Sequence, residues 1–238
     1  MPRRFYERAS VPLAIDLLGL WLLRTEADGG LSGGPIVETE AYAGPDDQAS
    51  HARFGRTRRN AVMFGPAGHA YVYLVYGLHH LLNVVSEGEG RPGAVLLRGL
   101  VPALGLDRIR ERRGRPADLV AAAAAGPARL SQALAVDLSL DGVDLTAAGA
   151  LWIGQPGPAR LAQARAGGLL VGPRIGMGAM SPVWAGRPWR FGLSRSPGLS
   201  RPFPRGTAPR PWGAVAAADE RLAEADDSDR AARAGGPS

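Results

Sequence analysis

Apolar residues recur at helical spacing in three parts of the chain. From residue 8 to residue 24 they repeat every three or four positions, which predicts an amphipathic helix that ends at the glycines of 29–34. A second helical repeat covers residues 104–113, with arginines on its exposed side. The pair Gly126-Pro127 predicts the start of a third helix, because proline is favoured in the first helical turn.

The period changes to two between residues 35 and 42, which predicts a strand with Glu38, Glu40 and Tyr42 on one face. Further strands are predicted where β-branched, aromatic and apolar residues cluster, at 71–76, 81–86, 94–98 and 188–193. Together these elements predict one mixed α/β (α+β) domain over residues 1–203.

The composition changes near residue 203 to proline, alanine, arginine and aspartate, so we expect residues 204–238 to form a disordered tail. The longest apolar stretch, residues 11–23, is interrupted by Asp16 and is shorter than the roughly 20 residues of a membrane-spanning helix. Acidic residues also interrupt any signal-peptide pattern at the start of the chain. We therefore expect a cytoplasmic protein with no membrane partner.

Lysine and cysteine are both absent from the 238 residues, and the 28 strongly basic side chains are all arginine. Without cysteine there is no disulfide framework, thiolate metal site or thiol nucleophile. Without lysine there is no P-loop lysine and no side-chain amine for imine catalysis. Because only 22 acidic side chains oppose the arginines, the net charge is +6, which favours a polyanionic partner.

The chemistry-bearing residues are densest between Glu38 and Arg98. Carboxylates two residues apart on one strand face lie about 7 Å apart at the backbone, so they either share a metal or have perturbed pKa values. The alternative is a solvated face on which they pair with arginines. A metal-dependent nuclease or phosphodiesterase therefore remains possible, with the hard ligands Glu38, Glu40, Asp46, Asp47 and His51.

Tyrosines alternate along the strand predicted at 71–76, where Tyr71 and Tyr73 share a face. Such a strand is typical of an aromatic core. An aromatic platform next to arginines also suits nucleobase stacking with phosphate contacts, which leaves a non-catalytic nucleic-acid-binding protein as a further alternative.

Five segments form a more specific series. They are 36–42 followed by Asp46, Asp47 and His51; 63–66 with 71–77; Asn83 with 96–98; Gly126-Pro127 with Leu130 and 132–134; and 174–178. In order and spacing this series resembles the 3-methyladenine (alkyladenine) DNA glycosylase family over residues 5–200. The resemblance implies a curved, largely antiparallel sheet flanked by helices, with a protruding β-hairpin.

The activity implied by the resemblance is removal of alkylated purines, such as 3-methyladenine and 7-methylguanine, which are flipped out of duplex DNA. By similarity Glu40 activates the hydrolytic water and balances the oxocarbenium-like charge, and Arg98 and the backbone carbonyl of Ile175 hold the same water. Glu38 is expected to be a supporting hydrogen-bond acceptor. Neutral lesions such as ethenoadenine or hypoxanthine would also need protonation or a strong donor.

The resemblance also assigns the surroundings of the flipped base. Tyr42, His51 and Tyr73 would sandwich it, and Asn83 would crowd the 2-amino group of an ordinary guanine. Tyr76 would be the wedge that fills the gap in the base stack. Leu78 would border the pocket where the family often has Met or aromatic residues, so lesion range is the property that this departure affects. The tentative DNA-backbone contacts are Arg53, Arg56, Arg58 and Arg59.

The absence of lysine limits the chain to its α-amino group for imine formation, so composition by itself predicts a monofunctional glycosylase that leaves an intact abasic site. We expect no cofactor and no metal. The expected partner is double-stranded DNA with alkylated or deaminated purines, bound by a monomer at the first step of base excision repair. Such a protein would associate with the nucleoid when it is bound to DNA.

Overall fold

The computed structural model describes residues 1–114, 122–177 and 182–212. Within these ranges the helices are α1 (Ser10–Asp16), α2 (Leu106–Arg113), α3 (Pro127–Ala133), α4 (Pro158–Arg165) and α5 (Pro182–Gly186). The strands are β1 (Trp21–Thr25), β2 (Leu31–Ala43), β3 (Ala70–Val75), β4 (His79–Ser86), β5 (Gly93–Leu100), β6 (Leu151–Gly154), β7 (Leu169–Gly172) and β8 (Arg190–Leu193).

All of the described strands pair antiparallel in one open sheet, with the order β3-β4-β5-β2-β1-β6. Strand β8 pairs with β2 on the edge opposite to β5, and it also pairs with β7. The predicted mixed α/β domain with a largely antiparallel sheet is therefore confirmed. The long strand β2 contacts β1, β5 and β8, so residues on β2 lie at the junction of the sheet.

The core lies between the sheet and the helices α1 and α3, and it contains fully buried leucines and isoleucines such as Leu13, Ile36, Leu82 and Leu130. Strands β3 and β4 form a hairpin whose tip projects from this core, since Tyr76 at the tip is 91% exposed. No helix among the described residues is long and apolar enough to cross a bilayer.

The prediction of one helix over residues 8–24 is wrong in its second half. Helix α1 ends at Asp16, and Trp21 begins strand β1, which pairs with β2 and β6. Gly19 explains the break: its φ is +87°, a left-handed conformation that ends a helix, and its N–H donates to Ile36 O on β2. A short apolar run such as Trp21–Thr25 fits a helix or a strand equally well by periodicity.

The glycines at 33 and 34 were predicted to be loop residues, but they lie inside β2. A Cβ on Gly33 would lie 2.1 Å from Leu22 O, and one on Gly34 would lie 2.0 Å from Val101 O. Besides marking loops, glycine in a strand allows a neighbouring backbone to approach closely, and Gly33 and Gly34 serve this purpose. The sequence analysis also missed β6, α4 and β7.

Part of the predicted tail contacts the domain. Arg210 and Leu169 exchange two backbone hydrogen bonds, and the Trp212 ring lies 4.2 Å from the Arg165 guanidinium. The described residues 204–212 thus pack against α4 and β7. The remainder of the predicted tail, residues 213–238, lies outside the described residues.

Candidate active site

Two buried glutamates on β2 face a buried arginine on β5. Glu38 and Glu40 are fully buried, and Arg98 is 5% exposed. The Arg98 guanidinium bridges them: Nε donates to Glu38 Oε1 at 2.9 Å, and Nη1 lies 3.2 Å from Glu40 Oε2. A bulge in the β2–β5 register at Glu38 accompanies this arrangement. The three residues that were predicted to share one strand face therefore lie in one cluster: Glu38, Glu40 and Tyr42.

Each oxygen of Glu40 accepts from a different donor. The Ile175 N–H donates to Oε1 at 2.7 Å, and the Tyr42 hydroxyl donates to Oε2 at 2.9 Å. The sequence analysis assigned a role to the Ile175 carbonyl, whereas the contact in the structure is made by its amide. A carboxylate has about four acceptor positions, so the Arg98, Tyr42 and Ile175 contacts leave room for one further donor.

Burial dominates the electrostatics of Glu40 and raises the pKa of its carboxyl above the ordinary value. Arg98, the Ile175 N–H and the Tyr42 hydroxyl act in the opposite direction, because all three stabilise the charged form. Burial of the phenol raises the pKa of Tyr42, and the neighbouring Glu40 carboxylate raises it further. A carboxyl perturbed by burial and held by a specific cation is a typical functional-site candidate.

A cleft of about 840 Å³ opens beside this cluster. Glu40 is not itself exposed to it, but the residues that contact Glu40, namely Tyr42, Arg98 and Ile175, all line the cleft. A smaller cavity of about 30 Å³ continues inward and is bounded by Tyr71 and Asn83. Glu40 therefore lies directly behind the cleft wall.

Aromatic rings form one side of the cleft. The His51 and Tyr73 ring centroids are 4.6 Å apart at an angle of 73°, and His51 Nδ1 lies 2.8 Å from the Tyr71 hydroxyl. Burial lowers the pKa of His51, and the cationic Arg59 and Arg53 lower it further. The imidazole is thus favoured in its neutral form.

Tyr76 and Gly77 form the hairpin tip at the rim of the cleft. Both have positive φ values, +54° and +68°, as at the two central positions of a type I′ turn. Positive φ is strained for an aromatic residue. The tip therefore holds a large, exposed ring in an unfavourable backbone conformation, which is the usual signature of a functional constraint.

Three of the five candidate metal ligands are paired with arginines, namely Glu38, Glu40 and Asp47. Asp47 is fully buried and pairs with Arg174, whose Nη1 and Nη2 donate to it at 2.6 and 2.9 Å. Glu38 accepts from two arginines, Arg98 and Arg190. Within residues 1–114, 122–177 and 182–212, no three His, Asp or Glu side chains are grouped so as to hold a metal ion.

The structure brings most of the predicted pocket residues together but not Leu78. Tyr42, His51 and Tyr73 line both cavities, whereas Leu78 is 76% exposed and borders a separate groove next to α3. The turn carries Leu78 past the hairpin tip to the side that faces α3, away from the aromatic wall. Asn83 is buried beside the inner cavity, where its amide donates to Tyr71 O at 3.1 Å.

The four predicted DNA-backbone arginines are all exposed. Arg59 lines the cleft and lies 5.7 Å from the Tyr73 ring centre, and Arg53 stacks on the exposed Phe54 ring at 4.3 Å. The remaining two, Arg56 and Arg58, extend the same segment. Of the four, Arg59 thus lies at the cleft, and the other three belong to the same exposed segment.

Three functional candidates were missed by the sequence analysis. Arg190 and Ser200 contact Glu38, and Arg174 anchors Asp47 while its guanidinium lies 4.9 Å from the Tyr42 ring centre. Arg190 did carry a signal in the sequence, since it lies between aromatic residues in the strand predicted at 188–193, and the structure buries that strand, β8, along its whole length. A charged residue in a fully buried strand requires a buried partner.

Comparison with known proteins gives a consistent result. Residues 4–197 match the methylpurine-DNA glycosylase family. A protein of Carboxydothermus hydrogenoformans, named as a candidate 3-methyladenine DNA glycosylase, is 43% identical over 201 residues, which cover 84% of this chain and 98% of the relative. Relatives with the same name in Anaeromyxobacter dehalogenans and Rubrobacter xylanophilus are 43% and 46% identical, covering 88% and 74% of this chain and 90% and 85% of their own lengths.

Proposed function

The chain belongs to the methylpurine-DNA glycosylase family of hydrolases that cleave N-glycosyl bonds in DNA, and we propose that it uses Glu40 to direct a water onto the sugar of a flipped, alkylated purine. The observation that carries this proposal is the fixed, buried carboxylate of Glu40 behind the cleft wall, contacted by Arg98 and by the Ile175 N–H. Base release would be the first step of base excision repair.

The chemistry requires a negative charge next to the anomeric carbon. Departure of the base leaves an oxocarbenium-like sugar, and a preorganised carboxylate stabilises that charge most where water is excluded. Burial raises the pKa of Glu40, and Arg98 opposes this effect by stabilising the ionised form. The remaining acceptor position of the carboxylate would take one proton donor, the attacking water. The water transfers a proton to the Glu40 carboxylate as its oxygen bonds to the anomeric carbon of the sugar, and the base leaves with the electron pair of the broken N-glycosidic bond.

The aromatic wall favours a cationic base. Tyr42, Tyr73 and a neutral His51 offer electron-rich faces to 3-methyladenine or 7-methylguanine, which carry a positive charge. The lowered pKa of His51 supports this role, because a protonated imidazole would repel a cationic base. Asn83, fixed by its bond to Tyr71 O, would crowd the 2-amino group that guanine and 7-methylguanine share, and the cation–π attraction for the charged 7-methylguanine would offset this clash. Ethenoadenine and hypoxanthine are neutral and would need an additional proton donor.

Extrusion of the base from the duplex would depend on the hairpin tip. The exposed Tyr76 ring is suited to fill the gap that the flipped base leaves, which offsets part of the unstacking cost. Arg53, Arg56, Arg58 and Arg59 would hold the phosphates of the same strand. We propose that a monomer performs all of these steps on duplex DNA.

Because the chain contains no lysine, the proposed enzyme is monofunctional and leaves the sugar–phosphate strand intact. The test uses a duplex with one 7-methylguanine, incubated with the protein and excess chelator. Free base with an unbroken strand is the expected product. Strand cleavage abolished by chelator would instead support the metal-dependent nuclease, and salt-sensitive binding without any product would support a non-catalytic DNA-binding protein.

A further inference from the structure

Glu38 is the second carboxylate of the buried cluster, and it has its own set of donors. Ser200 contributes both its backbone N–H and its hydroxyl, the latter at 2.7 Å from Oε1. Arg190 on β8 contributes Nη1 at 3.3 Å from the same oxygen. Arg190 is 2% exposed, so this guanidinium is as buried as the carboxylate that it pairs with.

The four charges form an alternating row. Glu40 contacts Arg98, Arg98 contacts Glu38, and Glu38 contacts Arg190. The row has a net charge of zero, with two carboxylates and two guanidinium groups. Arg98 serves both carboxylates, so the charge that it offers Glu40 depends on how well Glu38 is neutralised from the other side.

We propose that Arg190 is a positioning residue for the proposed hydrolysis: by neutralising Glu38, it leaves Arg98 available to hold Glu40 in its ionised, reactive form. Arg190 does not touch the cleft, and its guanidinium is fixed by the carbonyls of Pro173, Arg201 and Pro202. Its contact with the row is made through Glu38, which shares Arg98 with Glu40.

Besides Glu38 and Arg98, the groups around Glu40 are two phenols and a loop that carries one N–H donor and one arginine. Tyr42 on β2 and Tyr73 on β3 are phenols that burial keeps protonated, since it raises both of their pKa values. The Ile175 N–H comes from the loop after β7, and Arg174 in that loop faces Tyr42 while it is paired with Asp47. Burial raises the pKa of Glu40, Arg98 lowers it, and Glu38 raises it. Arg190 is the remaining charge that interacts with both carboxylates.

The test is the pH dependence of single-turnover base release, measured for Arg190→Met, Glu38→Gln and the double variant. The net charge of the row is then −1, +1 and 0, against 0 in the wild type. Because an additional negative charge favours protonation of Glu40, we expect the acidic limb of Arg190→Met to move up by about one pH unit. The limb of Glu38→Gln moves down, and that of the double variant returns close to the wild type.

On the acidic limb, Arg190→Met should therefore release base about tenfold more slowly than the wild type at the same pH, with a plateau rate that changes little. The matched control is Arg112→Met, which removes another arginine paired with a glutamate, Glu26, outside the cleft. This variant should lose stability without any shift of the limb. A purely structural role for Arg190 lowers the rate equally at every pH.

If Arg190→Met does not fold, Glu38→Gln and the double variant decide the question. The acidic limb of the double variant must then lie about one pH unit above that of Glu38→Gln, which is the direction and size of shift expected for Arg190→Met itself. Superimposable pH profiles for the wild type and Glu38→Gln would overturn the proposal. The proposal rests on the proposed function, but the two fail differently. Absence of base release by the wild type rejects the function, whereas normal release with an unshifted variant limb rejects only the role of Arg190.

Discussion

Glu40 is fully buried, yet only one of the two arginines in its cluster touches it. The two-residue spacing of Glu38, Glu40 and Tyr42 was sufficient to predict that these side chains share a face, because a strand alternates with a period of two. The partners of Glu38 could not be predicted in this way. Arg190 lies 152 positions further along the chain, and only the β2–β8 pairing brings it next to Glu38.

His51 offers a test of the electrostatics at the scale of one residue. Replacement of Arg59 by glutamine removes the larger of the two cationic contributions and leaves burial unchanged, so we expect the pKa of His51 to rise towards 6.5 without reaching it. The measurement is an NMR titration of the imidazole. Arg58→Gln, an exposed change in the same segment, is the control and should leave the titration where it is. A lower pKa in Arg59→Gln would contradict this explanation.

The same shift has a consequence for stability. The folded pKa of His51 lies below the unfolded value, so between those two values the unfolded chain binds more protons than the folded one. The contribution of this residue to the free energy of unfolding is therefore fully present above about pH 6.5 and is lost as the pH falls through the folded pKa. Arg59→Gln should bring the folded pKa of His51 closer to its unfolded pKa, and so narrow the pH range over which this stability is lost.

At the scale of elements, the hairpin was well predicted and the N-terminal segment was not. Alternation and aromatic content identified β3, and the protruding hairpin was implied by the resemblance to the glycosylase family. In contrast, helical spacing continued past Asp16 by coincidence, although Gly19 ends the helix and β1 gains its partners from β2 and β6. Strand pairing between distant segments overrode the local pattern.

Tyr76 gives a prediction about the hairpin. A left-handed conformation costs an aromatic residue about 1–2 kcal/mol, so Tyr76→Gly relieves strain. The greater entropy of glycine in the unfolded chain offsets about 0.5–1 kcal/mol of that gain. We therefore expect the free energy of unfolding, measured in denaturant, to stay constant or to rise by about 1 kcal/mol.

Base release should change in the opposite sense. Without the ring, flipping loses a stacking contribution of roughly 1–3 kcal/mol, which lowers the single-turnover rate at subsaturating protein. Tyr76→Phe retains the ring and the strain, and it should behave like the wild type in both measurements. If Tyr76→Gly released base at the wild-type rate, the tip would not be the wedge.

At the scale of the whole molecule, the sheet places an electrically neutral row of buried charges beside a cleft whose rim is rich in arginine. The net charge of +6 predicted a polyanionic partner but not its location. Arginines are scattered along the sequence, and only the fold shows which of them flank the cleft. In contrast, the absence of lysine and cysteine from the sequence was sufficient to exclude side-chain imine, thiolate and disulfide chemistry.

Phosphate contact predicts a specific salt dependence. Each contact contributes about 0.9 to the slope of log binding constant against log salt concentration, so the double change Arg56→Gln and Arg58→Gln should lower the slope by about 1.8. The control removes the same charge at Arg4 and Arg205, which are exposed and lie outside the arginine segment 53–59. Equal slopes for the two double variants would contradict this prediction, because loss of two positive charges would then weaken DNA binding in the same way at either position.

The role of Glu40 is tested most directly by single-turnover release of 7-methylguanine from duplex DNA by Glu40→Gln. Glutamine keeps an acceptor for the Ile175 N–H and removes the charge that stabilises the transition state. We predict that the rate falls on the order of 100-fold or more, while duplex binding and thermal stability stay close to those of the wild type. A variant that folds, binds duplex and releases base at the wild-type rate would contradict the proposed mechanism.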